Sequence, residues 1–325
     1  MPAAVSASGS RPVLPVVLAV LAVLALLSIF TGARSLTPRG LLDPEGLGLV
    51  LISRLPRTLA AILAGGALAV AGQVMQVLAR NRFIEPMTAG AGQGAALGIL
   101  MATLFVPGAP VWVSMTLASV ASLAASIGLM LLIRRLPPTQ PLLVPLLALV
   151  YGGVIGAVVT FFAYQGDMLQ FLEVWMTGEF SAVLRGRYEL LWIAAGAAAL
   201  TWIVADRITL LSLGEATARG LGVNVARVTA AGLATVSVVT AMTVVTVGAL
   251  PFIGLVVPNI VSRLTGDDLR RALPVTAACG AALVLAADLL GRVLRPPFEV
   301  PAAATIGIVG AALFLVLLLR PARHG

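Results

Sequence analysis

The chain of 325 residues contains no lysine, one cysteine and one histidine, and charged residues of all kinds make up only 10% of it. Each scarcity excludes something. Soluble globular domains carry charge on about a quarter of their residues. A chain that is 60% apolar, with a mean hydropathy of +1.06, cannot hide its surface from water, so lipid is the solvent for most of it. The lone cysteine, Cys279, lies in an apolar run. It can form no intramolecular disulfide and reads as a small packing residue. The histidine, His324, is next to the last residue, which leaves no imidazole for a triad or a metal centre in the body of the chain. GxSxG, HExxH, paired cysteines and GxxxxGK[ST] are all missing. No catalytic residue, metal site or cofactor is therefore expected on this chain. Uphill transport by it would draw on an ion gradient or on another polypeptide.

The positive charge is entirely arginine, 21 residues, and the net charge is +8. Phosphate-binding arginines need a solvated face to cluster on, and the sequence offers none, so no nucleic-acid partner is expected. In a membrane chain such an excess is topological.

What the sequence does have is a succession of apolar segments. Val13 to Phe30 is long for a signal peptide and lacks a small-x-small cleavage site, so it reads as a retained first helix behind a short tail, 1–12. Further segments lie near 58–79, 88–106, 111–133, 141–164, 190–205, 228–250, 254–264, 272–294 and 303–319. The third and especially the eighth fall short of the roughly 20 residues a spanning helix needs. Short pieces such as "PFIGLVVPNI" (Pro251 to Ile260) suggest half-helices shielded by their neighbours. The expected fold class is all-α: a polytopic membrane protein of about ten transmembrane helices, a single domain over 1–325, with both termini on one side.

The arginines orient it. With the N-terminus inside, Arg11, Arg80, Arg82, Arg134, Arg135, Arg207, Arg219, Arg227, Arg263, Arg270, Arg271, Arg320 and Arg323 are inside; Arg34, Arg39, Arg54, Arg57, Arg185, Arg187, Arg292 and Arg295 are outside. Thirteen against eight favours cytoplasmic termini. The outside set includes arginines placed right at helix ends. Small-residue runs such as "AGGALAVAG", "GAGQGAALG", "AAGAAAL" and "GAAL" read as close helix contacts in a crowded bundle.

Several polar positions stand out against this background. Asp288 lies inside a span four residues before Arg292, so the two share a helix face and form an intrahelical pair; a proton-relay role would need a second acid. Gln73, Gln76 and Gln93 sit in glycine-rich stretches and either line a pathway or cross-link helices by hydrogen bonds. Gln165 to Leu190, with Phe171, Trp175, Phe180 and Tyr188, is the longest outer loop; its aromatics belong to an interfacial belt or to a pathway entrance. The inner segment 206–227 places helix formers from Glu215 to Arg219 between Gly214 and Gly220, which reads as a short capped helix outside the membrane or as an ordinary connector.

Four stretches together resemble the FecCD-type permeases of bacterial iron-siderophore and vitamin B12 ABC importers: "RLPRTLAAILAGGALAVAGQVMQVLARNRFIEPMTAGAGQGAALG", "DRITLLSLGEATARGLGVNVARV", "GALPFIGLVVPNIVSRLTGDDLRRALP" and "AADLLGRVLRPPFEVPAAATIGIVGAALFLVLLLR". They occur in the family's order from about residue 45 onward. The resemblance implies a type II importer permease bundle in the cell inner membrane. It implies a second permease subunit, identical or a close paralogue, two cytoplasmic ATPase subunits that carry the ATP and magnesium, and an extracytoplasmic siderophore-binding protein. Arg54 and Arg57 match the family's R-L-P-R motif and Arg292 its A-D-x-x-x-R motif, which implies docking of acids on the binding protein; snorkelling to lipid headgroups is the other reading. Leu213, Gly214, Glu215, Ala218, Arg219, Leu221 and Gly222 are the implied ATPase contact. Gln73, Gln76, Gln93 and Trp175 are pathway candidates. Arg82 and Phe83 stand where many relatives read N-P-L, and Asn259 where many have histidine. Both departures resemble the siderophore branch rather than B12. An ion-coupled secondary transporter would show repeat symmetry and intramembrane ion ligands, and neither is evident.

Overall fold

A computed structural model of the chain describes residues 13–32, 43–136, 143–266, 268–295 and 298–319. The tail 1–12 and the orienting arginines Arg11, Arg34, Arg39, Arg320 and Arg323 lie outside the described residues, as does His324. The helices are α1 (Val13–Phe30), α2 (Pro44–Leu49), α3 (Leu55–Leu78), α4 (Ala91–Phe105), α5 (Val111–Ile133), α6 (Leu143–Gln165), α7 (Leu169–Met176), α8 (Leu190–Ile203), α9 (Ala205–Ser212), α10 (Glu215–Gly220), α11 (Val225–Val247), α12 (Ile253–Thr265), α13 (Leu269–Leu294) and α14 (Ala302–Leu319). Each of the ten apolar segments corresponds to one helix. Among the described residues, six helices, or seven if α8 and α9 count as one bent span, are long and apolar enough to cross a membrane; α4, α12 and α14 are shorter apolar helices.

Three boundaries differ from the sequence reading. The second span does not start near 58: α2, a π-helical stretch at Val50–Arg54 and α3 run on continuously as Pro44–Leu78, so Arg54 and Arg57 lie within a helical run and not ahead of it. The sixth span stops at Ile203, where the chain bends by 68° into α9; the segment after it is therefore helical and not an open connector. The α10 helix extends through Gly220, and the left-handed residue that ends it is Gly222 (φ +81°).

Helix α3 is the axis of the bundle and α1 lies at its edge, because α3 is small and apolar on all sides whereas α1 is long-chained and mostly exposed. Two glycines of α3 set its neighbours' distance. A Cβ on Gly65 would stand 2.4 Å from the carbonyl oxygen of Gly280 on α13, and one on Gly72 would stand 2.1 Å from that of Gly254 on α12. Only backbone fits at either crossing. The small-residue run of α8 behaves otherwise: Gly196 faces open space.

Three prolines interrupt these helices, and each freed carbonyl finds a donor elsewhere. Proline has no N–H to offer the carbonyl four residues before it. Ile52 O, orphaned by Pro56, accepts from Arg185 N at 3.0 Å. Gly254 O, orphaned by Pro258, accepts from Gln76 Nε2 at 3.1 Å. Arg270 O, orphaned by Pro274, accepts from Trp202 Nε1 at 3.2 Å. In lipid no water can fill this role, so neighbouring elements must.

Candidate functional site: an arginine cluster and the α10 turn at opposite ends of α3

Helices α3 and α13 run antiparallel. Arg57 pairs with Asp288, Gly65 crosses Gly280, and Gln73 accepts from Thr276 at 2.7 Å, so rising numbers on one helix meet falling numbers on the other. The last turn of α13 therefore sits beside the start of α3. This is what brings Arg54, Arg57 and Arg292 together around one cavity of about 670 Å3, with Glu45, Ser181 and Glu299 also on its wall.

The three arginines are not held out to solvent. Arg54 and Arg292 are each only 6% exposed. Asp288, 3% exposed, receives Arg57 Nη2 at 2.7 Å and Nε at 3.2 Å, and also Arg292 from the next turn of its own helix. The pair expected between Asp288 and Arg292 is present, and Arg57 makes it a triad. Arg57 reaches a second acid, Glu299, at 2.7 Å. Arg292 Nη1 donates to the carbonyls of Ser28 and Thr31 at 3.0 and 3.1 Å, and Arg54 donates to Thr31 as well. Two arginines thus satisfy the carbonyls at the C-terminal end of α1, where a helix leaves acceptors unpaired and favours positive charge. Glu299 was not singled out by sequence reasoning. The available signal was its position, an acid after two prolines at the edge of an apolar span.

At the other end of α3, Gly214 (φ +107°) opens α10. Val223 N donates to Ala218 O and Gly222 N to Arg219 O, both at 3.0 Å, around the left-handed Gly222. This is a Schellman-type stop. Ala218 is buried and anchors the helix, Glu215 pairs with Arg219 at 2.9 Å, and Leu213 and Leu221 are exposed on either side.

Both glutamines of α3 cross-link helices, Gln73 to α13 and Gln76 to α12. They also line a smaller cavity at the α10 end. Gln93 stands apart from them, its Oε1 buried without a partner among the described residues. Trp175 is half-buried in α7: its indole donates to Val244 O at 3.2 Å, its ring meets Phe171 edge-on at 4.9 Å, and it lines a cavity of about 660 Å3 beneath the 165–190 region. Phe180 is fully buried and is core, not an interfacial aromatic.

Sequence reasoning also passed over Glu85, fully buried in the connection between α3 and α4. Its carboxylate accepts from Phe252 N at 3.0 Å, at the start of α12. Burial pushes its carboxyl up to about 7, against hydrogen bonds from Phe252, Thr88 and Leu255 that favour the ionised form. Nearby, Asn259 Nδ2 donates to Arg82 O at 2.7 Å, so the two positions that depart from the wider pattern touch each other.

Residues 20–320 match the model of the FecCD transport family. The chain belongs to this family. Among curated relatives of this FecCD member, the petrobactin import system permease protein YclN of Bacillus subtilis (strain 168) is 38% identical over 295 residues, covering 90% of this chain and 93% of that one. The ferric-anguibactin transport system permease protein FatD of Vibrio anguillarum (strain ATCC 68554 / 775) is 40% identical over 274 residues, 84% and 87% of the two chains. A structure described as an inward-facing conformation of a metal-chelate type ABC transporter superposes with a TM-score of 0.81 at 25% identity, over 94% of this chain and 98% of that one. The FecCD permease is thus an all-α membrane protein with the bundle of an ABC importer permease.

Proposed function

We propose that this FecCD permease is the membrane subunit of an inner-membrane ABC importer for ferric siderophores, a single domain with both termini in the cytoplasm. It pairs with a second permease subunit and with two ATPase subunits that carry ATP and magnesium, and it has no hydrolytic site of its own. An extracytoplasmic binding protein delivers the chelate to the end of the bundle that holds Arg54, Arg57 and Arg292. The α10 turn, with exposed Leu213 and Leu221 beside Glu215, Ala218 and Arg219, receives the ATPase.

The observation that supports this reading most directly is the convergence of the three arginines on one cavity, in a chain whose named relatives import siderophores. An acid from a docking partner would meet Arg57 from the cavity side and take the place of Glu299, which is the more exposed of its two acids. Such a pair sets register and encounter rate more than raw affinity.

Binding of the purified binding protein to wild type and to Arg57→Glu in nanodiscs tests the docking role. Weakening of about 2 kcal/mol or more is expected for a well-desolvated pair; equal affinity and equal salt dependence would leave the arginines as helix caps alone. Uptake of a panel of ferric siderophores by a strain lacking the gene, with and without its restoration, tests the substrate. A strain that lost only vitamin B12 uptake would move the chain to the other branch of the family.

A further inference from the structure

A groove of about 560 Å3 opens on the outer surface of the bundle, with α3 and α13 as its floor and α1 and α8 as its walls. Helix α1 packs on α13, and α8 on α11 and α3, so the groove is the gap between the two walls. Its floor is low because α3 and α13 meet through small residues: a Cβ on Gly66 would stand 3.1 Å from the Ala277 carbonyl oxygen. Ala195, Ala198 and Ala199 keep the α8 wall shallow, while Leu18 and Leu21 form the α1 wall.

The shape and lining define what fits. The groove runs from Ile62 to Val70 along α3 and from Leu273 to Ala281 along α13, about 12 Å at the rise of a helix. That is close to the depth of one leaflet, about half of a hydrocarbon core roughly 30 Å thick. Every lining side chain is apolar apart from Trp202, whose N–H is spent on Arg270 O. The occupant therefore makes no hydrogen bond over this length. A helix is about 10 Å across, so 12 Å of one fills roughly 900 Å3, more than the groove holds. An extended hydrocarbon chain fits, and the bilayer supplies it.

One end of the groove closes on charge. Trp202 is 45% exposed, and Arg270, one turn ahead of Pro274, lies over its ring at 4.7 Å. Tryptophan in such a position marks the level of lipid headgroups. Arg270 pairs with Asp206 at 2.5 Å and Arg271 with Asp268 at 3.4 Å, and all four side chains are about half exposed or more. Exposed pairs of this kind are weak. The rim thus offers a cation and an anion side by side. A headgroup that carries a phosphate and a primary ammonium complements both, the phosphate accepting from Arg270 and the ammonium donating to Asp206. A phosphatidylglycerol headgroup would set its phosphate against Asp206, and a phosphatidylcholine headgroup has no N–H to donate.

We propose that this groove is a binding site for an aminophospholipid of the phosphatidylethanolamine type, with one acyl chain lying between α1 and α8 and the headgroup bridging Arg270 and Asp206. Neither the docking arginines nor the α10 turn enters this inference, and it holds whichever chelate is carried.

The test is photo-crosslinking of the purified permease in nanodiscs. The probe is phosphatidylethanolamine with a diazirine on its acyl chain, a minor component of a phosphatidylcholine bilayer, and adducts are mapped by mass spectrometry. Adducts are expected to concentrate on 195–202 and 273–281 and to be displaced by unlabelled phosphatidylethanolamine, but not by phosphatidylglycerol or further phosphatidylcholine. Ala195→Leu with Ala199→Leu, one turn apart on a wall that is not tightly packed, should cut this labelling at least fivefold. Arg270→Gln and Asp206→Asn should each cut it several-fold, while Val120→Leu, at an exposed position of α5, leaves it unchanged. Monodisperse elution and an unaltered unfolding midpoint show that the leucine pair folds, and the competition in wild type reads the site without any variant. Labelling spread evenly over the exposed helices, or equal displacement by all three lipids, overturns the proposal. So does a leucine pair that splits a permease dimer without changing the labelling, which would make the groove an interface between copies.

Discussion

Trp202 donates its indole N–H to the carbonyl of Arg270, 68 residues away, and the Arg270 guanidinium lies 4.7 Å from the centre of the same ring. The carbonyl is available because Pro274 cannot bond to it. Trp202→Phe should therefore cost about 1 kcal/mol of stability, read as a lower unfolding midpoint in nanodiscs. Pro274→Ala restores an N–H to the helix, so in that background the cost of Trp202→Phe should largely disappear. Equal costs in both backgrounds would show that the indole acts only through its ring.

Asp288 holds two arginines at once. Asp288→Asn leaves Arg57 and Arg292 buried without their shared anion, and removal of one partner from a buried pair costs about 3–5 kcal/mol. Glu299→Gln should cost much less, because Glu299 is partly exposed and Arg57 keeps Asp288. Thermal unfolding of the two variants side by side measures the difference.

Glu85 predicts a pH dependence of definite sign. Its carboxyl titrates near 4.5 in an unfolded chain and at about 7 when buried, so the folded state holds the proton more tightly. Stability should fall as pH rises between those two values, by up to about 3 kcal/mol, and level off above. Glu85→Gln should remove this component and raise the unfolding midpoint relative to wild type at pH 8. Parallel midpoint–pH curves for the two proteins would contradict it.

The two glycines after Glu215 should behave differently. Gly220 is helical, so Gly220→Ala should be neutral or stabilising by about 0.5–1 kcal/mol. Gly222 is left-handed, and Gly222→Val strains the turn that ends α10. The bundle should stay folded while uptake is uncoupled from ATP hydrolysis in proteoliposomes that contain the ATPases and the binding protein. Normal coupled transport by Gly222→Val would remove the role proposed for α10.

Composition alone determined the solvent of this chain, and hydropathy alone placed ten helices, because each span must carry its own apolar run. The Asp288–Arg292 pair and the short helix at Glu215 were legible for the same reason: partners three or four residues apart on a helix meet whatever the rest of the chain does. Local pattern could not show where separated segments meet. Arg57 with Asp288, Asn259 with Arg82 and Glu85 with Phe252 are each joined by the packing of α3 against α13 and α12, which glycine-to-glycine crossings bring within backbone contact. The arginines looked exposed in the sequence because the count of spans placed them outside, at the ends of apolar runs. They are buried because α2 and a π-helical stretch extend the span over them, and because α1 presents carbonyls that need donors. The three prolines complete the contrast. Each announces an orphaned carbonyl four residues back, a fact of covalent chemistry, but only the tertiary structure decides that Arg185, Gln76 and Trp202 are the groups that answer it.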